Sequence, residues 1–455
     1  MKMSKVLSLF LCFVLLAPAV LTTRADALET LNIESKASLL VEANTGEVLH
    51  DQNAHEKNFP ASITKVMTAL VVLEAVDDGR ISLDDQVTAS ETAAALPAGA
   101  STAGIKAGDV LTVRELLYCL LIPSANEAGN ILAEHVSGSI ENFVQEMNDR
   151  ATSLGCENTH FMNPHGLHHD DHYTTAWDIY LFTSAAMKYD LFMTICGTKS
   201  HEVPYVRDGA VQKRTIRTTN ALISNWFQTS YLYPDAKGIK TGNTGEAGRC
   251  LVSCAERGGR MLVSVVLGAQ TVKDAAGNQT IKSFSETIRL FNWGFDNFSK
   301  KEILSDSEMV CEVPVTLSSE ANYVVAHPDQ SITRMMPNDI GPDDLERDIQ
   351  LNSESLEAPV AAGDELGTLT LSYDGKVYGE AKLLALSDVS ASWVLIAQRD
   401  ALEFLSQTWV KLAAAGVAAA VVAVIVLRAV FSNSRRRYGK RGRAQARRGY
   451  NGRKR

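Results

Sequence analysis

Between its two ends this chain has no apolar run long enough to cross a bilayer, which excludes a polytopic membrane protein. Proline is sparse, 12 of 455 residues, and even with 30 glycines the total falls short of collagen-like or low-complexity chains. Seven cysteines are too few to staple so long a chain, so a disulfide scaffold is excluded as well. No internal repeat is evident. Acid is missing altogether from Arg435 onward, where 11 Lys and Arg stand unopposed. Residues 28–411, by contrast, hold 29 Lys and Arg against 52 Asp and Glu, a charge of −23. A body this acidic is not expected to bind nucleic acid, and the basic tail needs its own explanation. What remains is globular: 45% hydrophobic and 21% charged residues, at a length that suits two or three domains.

The two ends read as membrane-targeting segments. Lys2 and Lys5 precede the apolar run Val6–Leu21, and Ala25-Asp26-Ala27 supplies small residues at a cleavage site. Residues 1–27 are therefore expected to be a secretory signal peptide, the alternative being a buried first helix. Near the other end, Leu412–Leu427 is uncharged and apolar, Arg428 can snorkel, and Ala429–Phe431 continues the run. Twenty residues at ~1.5 Å each match a bilayer core of ~30 Å. A transmembrane helix is expected at 409–431, after a linker at 393–408. Residues 432–455 form a basic tail that the positive-inside rule places in the cytoplasm. A buried Ala-rich helix and a nucleic-acid-binding tail are the alternatives.

Past Cys12, six cysteines remain, and Cys250 and Cys254 sit in an apolar stretch that reads as two strands, so buried thiols are expected there. Ala37–Asp51 breaks at Asn44-Thr45-Gly46 and reads as a β-hairpin. Helical patterns follow over Ser62–Val76, Val113–Ile122, Glu127–Val136 and Ile140–Leu154. Strand signals return at Cys250–Ala255 and Met261–Leu267, ahead of a helical run at Ile281–Phe295. Strands at both ends with helices between predict an α/β sandwich for residues 28–299. Short strands with turns, such as Glu365–Tyr373, Asp374-Gly375 and Lys376–Leu386, predict a small all-β domain over 300–392.

The chemistry starts at Pro60-Ala61-Ser62-Ile63-Thr64-Lys65. Ser62 opens an apolar helix and Lys65 follows three residues on, so both project from one face. A serine hydroxyl is a poor nucleophile until a base takes its proton, and a desolvated lysine can serve. Alone, the pattern is weak, because Ser62 also suits a helix N-cap. Two further motifs strengthen it. Ser124-Ala125-Asn126 follows Pro123 between two helical runs and can offer a hydroxyl and an amide to one pocket. Lys240-Thr241-Gly242 precedes the strand pair, with Gly242 allowing close backbone approach, which suits a peptide carboxylate. Their bland readings are a capping turn and a strand-end charge. In this order and at these separations the three are specific jointly.

The set resembles the S-x-x-K, S-x-N and K-T-G signatures of the penicillin-recognising serine enzymes. More narrowly, the chain is similar to the serine-type D-alanyl-D-alanine carboxypeptidases, the low-molecular-mass penicillin-binding proteins. Phe59–Thr68, Asn163-Pro164-His165-Gly166-Leu167, His172–Ala176 and Ala247-Gly248 carry that match. Ala358-Pro359-Val360, Gly363-Asp364 and Tyr373–Val377 resemble the family's C-terminal domain. The resemblance implies a β-lactamase/transpeptidase-like α/β sandwich with a helical subdomain. It also implies an extracytoplasmic enzyme of cell-wall biogenesis, remodelling and cell shape. Its substrates would be peptidoglycan stem peptides ending in D-Ala-D-Ala, and β-lactams its covalent inhibitors. Ser62 would attack the penultimate D-alanine carbonyl, with Lys65 as base and Ser124 passing a proton to the leaving group. Asn126 would orient the substrate, and Lys240 and Thr241, with Gly242 beside them, would hold the terminal carboxylate. The N–H groups of Ser62 and Asn243 would form the oxyanion hole. No cofactor or metal is implied.

Two departures stand out. Asn243 follows the K-T-G where an aromatic or His is expected, and a span with a basic tail replaces an amphipathic surface helix. Five histidines in 160–172, beside Asp170 and Asp171, offer zinc as a competing reading, although the serine chemistry needs no metal. A serine β-lactamase is disfavoured, because Ser124-Ala125-Asn126 stands in place of S-D-N and residues 127–239 contain no E-x-x-L-N. A D,D-endopeptidase on the same scaffold and an inert peptidoglycan-binding protein are the remaining alternatives.

Overall fold

Alternation with period two builds the central sheet, and each face of it finds a different partner. The computed structural model describes residues 31–226, 228–273 and 277–446, so the expected signal segment and Cys12 lie outside the described residues. Strands β1 (Ala37–Glu42) and β2 (Val48–Gln52) make the expected hairpin. Short strands β3 (Gln86–Thr88) and β4 (Val110–Thr112) join a long hairpin of β5 (Ser200–Arg207) and β6 (Ala210–Arg217) in a separate sheet ordered β3-β4-β5-β6. Then β7 (Ala236–Thr244), β8 (Gly248–Arg257) and β9 (Arg260–Ala269) return to β1. The result is a five-stranded antiparallel sheet, β2-β1-β9-β8-β7, assembled from both ends of the domain, with β7 at one edge.

Along β1, β8 and β9 successive side chains point to opposite faces. Leu39, Val41, Val252, Cys254, Val263 and Val265 enter one apolar cluster. Leu40, Leu251, Leu262 and Val266 enter the other, against Phe284, Leu290, Phe291 and Phe295 of helix α8 (Lys282–Asn297). The first cluster is filled by helix α1 (Thr64–Asp77), which is buried at nearly every position because it is surrounded on all sides. A short α2 (Glu91–Ala94) and helices α3 (Val113–Leu121), α4 (Asn126–Ser137), α5 (Ile140–Ser153), α6 (Ala176–Ala186) and α7 (Asp190–Gly197) complete that layer. Thr112, Ser139 and Thr175 cap α3, α5 and α6 through their hydroxyls.

The α/β sandwich expectation holds. The β5–β6 hairpin and the α6–α7 pair were not anticipated, although Asp208-Gly209 between alternating segments is a hairpin signal. The chain divides into two compact units, one of Met1–Lys301 with Arg334–Gly341 and one of Glu302–Thr333 with Pro342–Arg455. The second unit is built on a six-stranded sheet. Its Glu365–Tyr373 and Lys376–Ala385 form a hairpin around Asp374-Gly375, with Leu369, Leu371, Leu383 and Ala385 buried.

The stretch read as a linker is largely helical, as α9 (Trp393–Ser406), because its Leu, Ala, Glu and Arg content favours helix over coil. It leaves Trp393, Val394, Leu402, Phe404 and Leu405 exposed. Helix α10 (Thr408–Ala446) follows, and its Thr408–Ser432 portion is long and apolar enough to cross a membrane.

Candidate active site

The first turn after Pro60 is strained and braced. Ala61 adopts φ +48°, in the left-handed region, and Ala61–Ile63 form one turn of 3-10 helix leading into α1. Ser62 therefore sits just ahead of α1, not within it. Two threonines one helical turn apart on α1 hold the neighbouring backbone: Thr64 donates to Ala61 O at 2.8 Å and Thr68 to Pro164 O at 2.6 Å. The turn at Asn163–Leu167 is closed by Asn163, whose Oδ1 accepts from Gly166 N at 2.7 Å and whose amide donates to Leu167 O. Gly166 is obligatory there. Its φ is +85°, and a Cβ would fall 1.9 Å from Ala61 O.

Lys65 is fully buried at the centre of this brace. Its Nζ lies 2.7 Å from Asn126 Oδ1, 2.7 Å from His165 O and 3.0 Å from Ser62 Oγ. Burial, and then the nearby Lys240 charge, lower its pKa well below the ordinary lysine range, while Glu127 opposes the shift. The first two partners only accept, so they use two N–H groups. A neutral amine then has its lone pair left for the Ser62 hydroxyl.

Ser124 comes from the break between α3 and α4 with φ +66°, a conformation costing ~1–3 kcal/mol for a non-glycine residue. Its buried Oγ has no hydrogen-bond partner among the described residues. Asn126 opens α4, and its N–H donates to Ser101 O at 2.9 Å. Lys240 is buried on edge strand β7, with Nζ donating to Thr241 O at 2.9 Å, and burial pushes its pKa down to about 7. The Thr241 hydroxyl lies 2.6 Å from that of Thr219. Gly242 packs on the nucleophile turn, where a Cβ would come 2.9 Å from Pro60 O.

Ser62, Ser124, Thr241, Gly242 and Asn243 line one cleft of about 360 Å3, walled also by Ser101, Thr219, Trp226 and Arg249. Residues from three distant parts of the chain thus meet: the cleft holds five of the eight expected site residues, Lys65 reaches it through Ser62, Asn126 is bonded to Lys65, and Lys240 is near enough for its charge to lower the Lys65 pKa. Lys240 is buried beside the cleft-lining Thr241. Sequence reasoning missed Arg249, which faces Asn243 across the β7–β8 pair. It missed the His165 carbonyl too, since a backbone acceptor leaves no signature in residue type.

The histidines have other work. Met162 N donates to His172 Nδ1 at 3.1 Å, so His172 Nε2 carries the proton and faces Thr64 Oγ1 at 2.8 Å. Burial pushes both His165 and His172 down to about 3. Among the described residues no three His, Cys, Asp or Glu side chains converge to hold an ion.

Comparison with known proteins identifies the family. Residues 22–271 match the family model described as D-alanyl-D-alanine carboxypeptidase. The chain belongs to the D-alanyl-D-alanine carboxypeptidase family. Residues 298–391 match the family model for the penicillin-binding protein 5 C-terminal domain. Among relatives, D-alanyl-D-alanine carboxypeptidase DacF of Bacillus subtilis (strain 168) is 33% identical over 78% of this chain and 86% of its own. D-alanyl-D-alanine carboxypeptidase DacA of Escherichia coli (strain K12) is 30% identical over 78% and 84%. The solved structure of penicillin binding protein 5 from Haemophilus influenzae aligns with a TM-score of 0.58 at 28% identity, covering 79% of this chain and 98% of that one. Membership of the carboxypeptidase family makes the serine–lysine pair the part of the cleft to explain.

Proposed function

We propose that the cleft removes the terminal D-alanine from peptidoglycan stem peptides by a double displacement on Ser62. The observation that carries this is the buried Lys65 amine, held by two acceptors and aimed at Ser62 Oγ at 3.0 Å. Lys65 takes the Ser62 proton as Oγ bonds to the penultimate D-alanine carbonyl carbon. The resulting oxyanion is met by the N–H groups of Ser62 and Asn243, each such donor being worth ~3 kcal/mol. The C–N bond then breaks, and a proton relayed through the otherwise unpartnered Ser124 hydroxyl leaves with the D-alanine amine. Water hydrolyses the ester and Lys65 recovers its starting state. Asn126 orients both Lys65 and the substrate amide. The Thr241 hydroxyl, the Lys240 charge and the Arg249 guanidinium hold the terminal carboxylate.

In this reading residues 1–27 direct export, 28–299 are the peptidase domain and 300–392 a β-domain. The 409–431 span anchors them outside the membrane, and 432–455 remain in the cytoplasm. The apolar Thr408–Ser432 helix and the unopposed cations after it support that arrangement. Incubation of residues 28–408 with labelled penicillin and with a D-Ala-D-Ala-terminated pentapeptide tests the chemistry. Label on Ser62 and release of D-alanine are expected, and Ser62→Ala should abolish both. Labelling elsewhere, or none on a folded protein, overturns the assignment.

A further inference from the structure

A second cavity, of about 250 Å3, lies at the β7–β8 turn, next in sequence to the catalytic residues on two sides. Its wall contains Lys57 and Phe59, shortly before Ser62, and Glu246, three residues beyond Asn243. Lys36, just ahead of β1, Asp170 and Tyr173 complete it, and Asp170 lies 3.4 Å from His168. The charges of Lys36, Lys57 and Glu246 have no ion pair among the described residues, and the Lys57 ammonium rests 4.0 Å from the centre of the Tyr173 ring. Two cations, two carboxylates and two aromatic rings around one hollow complement a ligand with an ammonium and a carboxylate on an apolar stem.

The direction of β7 supplies the ligand. With the terminal carboxylate at Lys240–Thr241 and the scissile carbonyl at Asn243, the rest of the substrate continues toward Thr244 and then the Glu246–Ala247 turn. One extended residue covers ~3.3 Å, so on the carboxypeptidase reading the residue preceding the acyl D-alanine would lie nearest this turn, where a long side chain could enter the hollow. In a peptidoglycan stem that residue is a diamino acid. We infer that the cavity is a subsite for a diamino-dicarboxylic side chain, with Glu246 taking its ammonium, Lys36 and Lys57 its carboxylate, and Phe59 and Tyr173 its methylenes. This assignment rests on the carboxypeptidase reading above and selects among its substrates.

The test uses the full-length protein in detergent and three pentapeptides ending in D-Ala-D-Ala, differing only at the third residue. These carry meso-diaminopimelate, the same residue with its side-chain carboxylate amidated, or L-lysine. An N-acyl-D-Ala-D-Ala dipeptide, too short to reach the hollow, reports the catalytic reading separately. The diaminopimelate peptide is expected to exceed both others about tenfold in kcat/KM, mainly through KM. Lys57→Met and Glu246→Gln should each bring the three peptides toward parity, and Lys57→Arg should restore the preference. Dipeptide hydrolysis with equal rates on the three pentapeptides, or a preference that survives both substitutions, overturns the subsite alone. Failure on every substrate overturns the catalytic reading and the subsite with it.

Discussion

At the residue scale, the two active-site lysines share burial but not position, and they should fail differently. Lys65 touches Ser62 Oγ, whereas Lys240 lies on β7 with its amine on the Thr241 carbonyl. Lys65→Gln should stop reaction with every substrate, because the Ser62 proton then has no acceptor. Lys240→Gln should cost far more on a free D-alanine terminus than on an ester lacking the carboxylate. The pH profile carries the same distinction. The proposed mechanism requires a neutral Lys65, so kcat/KM should fall on the acid side as its lowered pKa is crossed downward. The proposed carboxylate contact requires a charged Lys240, and with its pKa lowered to about 7 the free protein should lose that cation as pH rises. Steady-state rates from pH 5 to 10 should show an alkaline limb for the carboxylate substrate and a much weaker one for the ester. Equal limbs would remove Lys240 from carboxylate binding. Gly166 offers a stability counterpart. Gly166→Ala must displace Ala61 O, so a loss of about 3 kcal/mol or more is expected by denaturant titration, with slower penicillin labelling in the fraction that folds.

At the scale of elements, the cleft wall at Ser101 depends on a carboxylate from α4. Glu127 is fully buried, and its Oε1 accepts from Thr102 Oγ1 at 2.7 Å, Ala103 N at 2.8 Å and Ile105 N at 3.3 Å. Those bonds hold the loop whose Ser101 carbonyl accepts the Asn126 N–H. Glu127→Ala leaves buried donors unmet, at about 2–4 kcal/mol over the set. It should also raise KM as the wall loosens, and thermal melting together with steady-state kinetics on the pentapeptide checks both. A variant with wild-type melting and KM would mean that the loop is held by other contacts. The helices and strands themselves were largely legible. Apolar periodicity placed α1, α3, α4 and α5 within a residue or two, and Asn44-Thr45-Gly46 and Asp374-Gly375 gave both hairpins. The β3–β4–β5–β6 sheet was not, because β3 and β4 have three residues each and β6 is mostly exposed, which leaves little apolar pattern to read.

At the scale of the whole molecule, the prediction concerns topology. The cations from Arg435 onward resist translocation, so the tail should stay inside while the acidic body is outside. Protease added to intact protoplasts is expected to remove the body and spare a C-terminal tag. Loss of the tag would place the tail outside and make α10 a surface-lying helix.

The sequence by itself determined the motifs, their order and the alternation that makes a two-faced sheet, since each is written in local spacing and residue type. It also determined that a serine–lysine pair was available, because three residues along one helical turn bring two side chains to one side. Only the tertiary structure decided which groups complete the pair. Asn126 and the His165 carbonyl reach Lys65 from 61 and 100 residues away, and the second is a backbone oxygen that any residue could provide. Tertiary structure likewise buried Lys240 on β7 and brought Arg249 into the cleft wall. Burial and pKa depend on what the fold packs around a group, and no local spacing carries that information.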